Sequence, residues 1–166
     1  MKMFVYLPAL FFASAVGNWW CASHFGGVGV MLLSAAAVSA LYGPVTAQSF
    51  AFMGGLYLDF MAPKLFGGHA LAFTLAAYLA WHLRQRMDME GAISQMILAA
   101  LMTVFTGAVY SVLELFSAGK PDFGGFPAII FSPMINGLLA PAWFFVFSRA
   151  RGRLPRHIMG GGSGTL

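Results

Sequence analysis

Charge is what this sequence lacks most. Of 166 residues, 9 are Lys or Arg and 5 are Asp or Glu. A soluble domain would carry about a quarter charged residues, so a water-facing surface is excluded. Disorder is excluded as well, because disordered chains are poor in aromatics and rich in charge, whereas this chain has 17 Phe. The single cysteine, Cys21, rules out an internal disulfide and any multi-cysteine metal site. HExxH, CxxC, P-loop and GxSxG patterns are all missing, and His24, His69 and His82 stand at no ligand spacing. No catalytic set, metal or cofactor is therefore expected.

What is present is apolar. Residues of the AVILMFWYC set make up 60% of the chain, and the mean hydropathy is +0.79. The reading is an all-α integral membrane protein of six transmembrane helices. At about 20 residues per span, six spans use roughly 120 residues and leave only short loops and tails. Glycine, proline and charge mark the boundaries. The spans run over about 4–21, 28–42, 45–61, 69–83, 92–116 and 127–147. Trp19 and Trp20 close the first as an interfacial pair. Cys21-Ala22-Ser23 is only a weak cleavage pattern, so the first segment is read as an uncleaved span. The uncharged 42–46 break is the weakest boundary, because the second span is short. Residues 1–159 form one domain, and Gly160 to Leu166 read as an appended flexible linker or a native Gly-rich tail.

Four of the six Arg fall in the last 18 residues. Beside an apolar helix, such a cluster marks the cytoplasmic end of a span near anionic lipid rather than a nucleic-acid site. With both termini cytoplasmic, Lys2, Arg84, Arg86, Arg149, Arg151, Arg153 and Arg156 lie inside, while Lys64 and Lys120 lie outside. That asymmetry fixes the orientation. His82, Arg84 and Arg86 read as an inner-interface anchor, and the eleven Met as core filler.

A few polar residues interrupt the spans. Ala47, Ala51, Gly55 and Asp59 recur every fourth position and share one helix face. Small residues there admit a second helix, so Asp59 is expected to face protein. It serves as a partner or ligand contact, as a structural lock capping the turn that follows, or as a carboxylate wetted at the outer interface, and Lys64, Lys120 and His69 are the donors open to it and Glu114. Ala99, Thr103, Gly107 and Ser111 form a second stripe, leading to Glu114. Gly107, in a fifth helix that looks the longest and most central, is expected to pack inside the chain, and so is Gly55 in the third. Asn136, between Pro133 and Pro141, either satisfies a proline-freed carbonyl locally, the favoured option, or bonds to a neighbouring helix.

These residues carry a likeness. Gly54-Gly55-Leu56-Tyr57-Leu58-Asp59, then Gly67-Gly68-His69, then Asn136-Gly137-Leu138-Leu139-Ala140-Pro141 resemble the MreD family of bacterial rod shape-determining proteins. That family carries G-x-x-x-D before a glycine turn and N-G-x-x-x-P in its last helix. Glu114 also sits where the family tends to be acidic. The likeness covers about residues 28–150, and the first span does not take part.

The resemblance implies a non-catalytic inner-membrane scaffold subunit of the cell-elongation complex, supporting lateral peptidoglycan synthesis. Its direct partner would be MreC, bound through a membrane helix. RodA, a penicillin-binding transpeptidase and MreB would belong to the wider complex. The family's fold is similar to the substrate-binding component of energy-coupling-factor transporters, which supplies the alternative of a small-molecule-binding transport subunit. Gly54, Gly55, Asp59, Gly67, Gly68, Gly107, Glu114, Asn136, Gly137 and Pro141 are the structural or partner-binding candidates.

The orientation is directly testable. A reporter active only in the cytoplasm should work when fused after Arg156. Activity there of a reporter that works only outside the membrane would contradict six spans with both ends inside.

Overall fold

In the computed structural model, which describes residues 2–24, 29–61, 65–86, 91–118 and 126–152, the chain is all-helical. Six helices appear among the described residues: α1 (Lys2–His24), α2 (Val30–Leu41), α3 (Pro44–Met61), α4 (Gly68–Arg84), α5 (Ala92–Ala118) and α6 (Phe126–Gly152). Each matches an expected segment to within a few residues. The 160–166 tail, Lys64, Lys120 and the 119–125 loop lie outside the described residues.

The helices alternate in direction. Ser14 and Asn18 of α1 meet Ser34 and Met31 of α2, so those two run antiparallel. Tyr57 of α3 bonds to Ala15 of α1, and Phe11 meets Phe50, so α1 and α3 run parallel. The weak 42–46 break is thus a true turn, with Tyr42 extended (φ −115°, ψ 176°). α6 runs alongside α2, through contacts of Gly29 with Asn136 and Ser34 with Trp143. One end of the bundle consequently carries Tyr42, Arg84 and Arg149, and the other carries Asp59 and Glu114.

The core is α2. All of its residues from Val30 to Ala40 are buried. Ser34, Ala35, Ala36, Ala37, Ser39 and Ala40 have short side chains, so other helices pack around it closely, and a helix that is apolar or small all round belongs inside. This corrects the expectation that α5 is the central helix. α5 and α6 are equally long, at 27 residues each. The outward side of α5 is apolar instead, with Ile93 (72% exposed) and Phe116 (85%) uncovered. Among the described residues, α5 and α6 are long and apolar enough to cross a bilayer. The methionines are only partly core: Met31 and Met102 are buried, whereas Met53, Met61 and Met134 are exposed.

α3 and α4 form the tightest pair. Ala47, Ala51 and Gly55 are buried on the side of α3 that meets α4. A Cβ at Gly55 would lie 2.4 Å from both Ala70 Cα and His69 O, backbone atoms that cannot move aside cheaply. The internal role expected for Gly55 is therefore observed. Gly107 is the opposite case: it is exposed on α5, and a Cβ there would meet nothing within 4 Å. Its expected internal packing is overturned. The residues of α5 that face inward are Leu98, Ala99, Met102, Thr106 and Glu114.

Gly55→Ala should therefore destabilise the chain by at least the 1–3 kcal/mol typical of overpacking, or about 5- to 150-fold in the folding equilibrium. Gly107→Ala should be neutral. Monodisperse yield and thermal unfolding in detergent, measured side by side, check both.

Candidate functional site

Two polar knots hold the bundle, and most of the sequence candidates belong to one or the other; Gly107 belongs to neither. The first joins α3 to α4. Gly67, in the left-handed region at φ +88°, ends the turn and stands at the N-cap of α4. Having no side chain, it offers no oxygen to the first N–H groups of the helix, four of which lack an intrahelical partner. Asp59 supplies it from the last turn of α3. The backbone N–H of His69 donates to Asp59 Oδ1 at 3.0 Å, and that of Ala70 to Oδ2 at 3.1 Å. His69 Nδ1 lies 2.9 Å from Oδ1; facing a carboxylate oxygen, it carries the hydrogen.

Asp59 itself is 0% exposed. Burying a carboxylate is costly unless it is hydrogen-bonded, and both of its oxygens here are engaged. The helix dipole, positive at the start of α4, adds to the match. Of the roles open to Asp59, the structural lock on the following turn is the one present. The His69 ring also packs on Tyr110 of α5, with centroids 4.1 Å apart. Gly68 sits under the same tyrosine, 3.0 Å from Cε2 by its Cβ direction. Glu114 is buried one turn further along α5.

The second knot surrounds the start of α2. Gly29 N–H donates to Asn136 Oδ1 at 3.1 Å, and Met31 N–H to Asn18 Oδ1 at 3.3 Å. Asn136 Nδ2 donates to Thr103 Oγ1 at 3.2 Å, and that hydroxyl donates to Ala99 O at 2.7 Å. One chain of hydrogen bonds thus crosses α2, α6 and α5, and its donors and acceptors alternate consistently. Asn136 reaches across helices, which corrects the favoured expectation of a local bond to a carbonyl near Pro133 or Pro141. α6 nonetheless continues through both prolines. Gly137 packs against α5, its Cβ direction 3.3 Å from Met96 O, and Gly54 against Met31 of α2 at 3.1 Å. Pro141 is half-buried.

Further locks escaped the sequence reading. Ser34 Oγ lies 2.7 Å from Ser14 Oγ and accepts from Trp143 Nε1 at 2.8 Å, tying α1, α2 and α6. Tyr57 donates to Ala15 O at 3.1 Å. Arg84 Nη1 donates to Tyr42 O at 2.7 Å, closing the C-terminal end of α2. The usable signal was polarity itself, since Ser14, Asn18 and Ser34 interrupt otherwise apolar runs. Among the described residues, Thr106 Oγ1 is the buried side-chain oxygen or nitrogen without a hydrogen-bond partner, and no group of three His, Cys, Asp or Glu could hold a metal ion.

Most of the candidates therefore belong to two structural knots, one at the start of α4 and one at the start of α2. No family model, curated protein or solved structure matches the chain.

Removing either knot leaves polar groups stranded. Asp59→Ala should cost about 1–3 kcal/mol from unpaired donors at the start of α4, and Asn136→Leu a similar amount at the start of α2. Lower unfolding temperatures in detergent for both, with Gly43→Ala unchanged as the control, are the expected outcome; Gly43 has open space around it.

Proposed function

We infer that the chain is a multi-pass protein of the bacterial inner membrane with both termini cytoplasmic. In this reading it is a scaffold that binds a membrane helix of a partner. The apolar exterior supports the membrane reading: Val45, Ile93, Leu138 and Phe116 all point outward. In water, such a surface would drive aggregation; in lipid it is the ordinary exterior. The Lys/Arg asymmetry supports the orientation.

One observation carries the scaffold reading. Of the two small-residue stripes, that of Ala47, Ala51, Gly55 and Asp59 is used up against α4, whereas the other is open at Gly107. Helix association in lipid depends on close backbone approach, because lipid tails are as apolar as leucine and supply no hydrophobic drive. An uncovered glycine in the middle of a long apolar helix is where a foreign helix comes closest. Together with the MreD-like Gly55–Asp59 and Asn136–Pro141 motifs, this points to MreC as the partner. RodA, the transpeptidase and MreB would be reached through the complex.

The alternative of a transport subunit binding a small molecule is less well supported. A half-length helix starting inside a bundle can offer its first N–H groups to an anionic substrate. Those of Gly29 and Met31 are already engaged by Asn136 and Asn18.

Gly107→Leu tests the reading. The variant should fold, since nothing surrounds that position, and should lose MreC on co-purification by about 5- to 150-fold, the range for 1–3 kcal/mol of overpacking. Unchanged MreC recovery would remove the docking face from Gly107.

A further inference from the structure

A groove of about 520 Å³ opens between α1 and α3, lined by Leu7, Phe11, Phe12, Val45, Ser49 and Met53. It begins at the first turn of α3 and runs eight residues to Met53, about 12 Å at the helical rise. Half of a 30 Å hydrocarbon core is about 15 Å, so the groove is one leaflet deep. A partner helix that crosses the whole membrane presents about 20 residues and would find a seat for less than half of its length.

The end of the groove at Val45 is also the cationic end of the bundle. Arg84 is fixed to Tyr42 O, three residues before Val45, at 2.7 Å. Arg86 is exposed on the same end, as is Arg149, whose guanidinium stacks over Phe145 at 5.6 Å. The described acidic residues, Asp59 and Glu114, belong to the far end; Asp88 and Glu90 lie outside the described residues. Thr46 and Ser49 add hydroxyls along the groove, the first of them on the opening turn of α3.

We propose that this groove seats one acyl chain of an anionic phospholipid, whose headgroup lies against the Arg84 end of the bundle. The inference rests on the inner-membrane reading. It assigns to lipid a face distinct from Gly107, so the two faces can fail separately. The apolar walls select a chain of single-leaflet length, and the arginines select the charge of the headgroup.

The test uses the full chain, delipidated in detergent and offered equal amounts of phosphatidylglycerol and phosphatidylcholine, with bound lipid counted by native mass spectrometry. The wild type should hold one phosphatidylglycerol in preference to phosphatidylcholine by about five-fold, the discrimination expected of one arginine near a headgroup. Ser49→Phe, which fills the groove, should lose that lipid while retaining MreC. Arg84→Gln keeps a donor for Tyr42 O and should retain lipid with a weaker headgroup preference, since Arg86 and Arg149 remain.

Equal binding of the two lipids by the wild type overturns the proposal, whether or not the variants fold. Loss of MreC from a folded Ser49→Phe variant, with lipid unchanged, overturns it in favour of a partner helix in the groove. A chain recovered without detergent and binding neither lipid would instead refute the membrane reading itself.

Discussion

The central helix is too short to cross the bundle, and the hydrogen bonds at its start follow from that. α2 has 12 residues, about 18 Å at the helical rise, so its first N–H groups end among side chains. Where no water reaches, each unpaired backbone group costs several kcal/mol. Asn136 of α6 and Asn18 of α1 accept from Gly29 and Met31 there. Asn136 is in turn held by Thr103, which aligns α5 and α6 with the top of α2. At its other end, Arg84 on Tyr42 O ties α4 to the same helix. The positions of α1, α4, α5 and α6 around the core therefore depend on satisfying a helix that stops short.

Asp59 solves the same problem for α4. A glycine at the N-cap makes the turn possible but leaves the helix start without a side-chain oxygen, and a carboxylate from the neighbouring helix replaces it. The close approach at Gly55 brings α3 near enough for this. Its missing Cβ and the Asp59 cap are parts of one device, and a change to either should loosen the same hairpin.

Much of the fold was legible in the sequence. Glycine, proline and charge clusters marked six helices, and the every-fourth pattern ending in Asp59 correctly turned that residue toward protein. The same pattern misled for α5. Ala99, Thr103, Gly107 and Ser111 lie one position along from Leu98, Met102 and Thr106, about 100° around the helix. Period alone identifies a face, not which of two adjacent faces is covered. In α3 the bulky residues stood outside the stripe; in α5 leucine and methionine form the inward face themselves, and the glycine falls outside it. Asn136 was unreadable for a different reason: its partners are 107 and 33 residues away in sequence, and only the assembled bundle brings them near. The centrality of α2 was hidden by its shortness, although its run of alanines and serines is what central packing requires.

The polar side chains are thus committed largely to holding helices together, which leaves the apolar outer faces for recognition. The scaffold proposed above should recognise a partner's membrane helix rather than its soluble part. The most direct measurement is co-purification of the wild-type chain with the membrane helix of MreC fused to an unrelated soluble protein, beside MreC lacking that helix. The account predicts that the helix fusion is retained and the helix-less protein is not. Retention of helix-less MreC, with loss of the fusion, would contradict it.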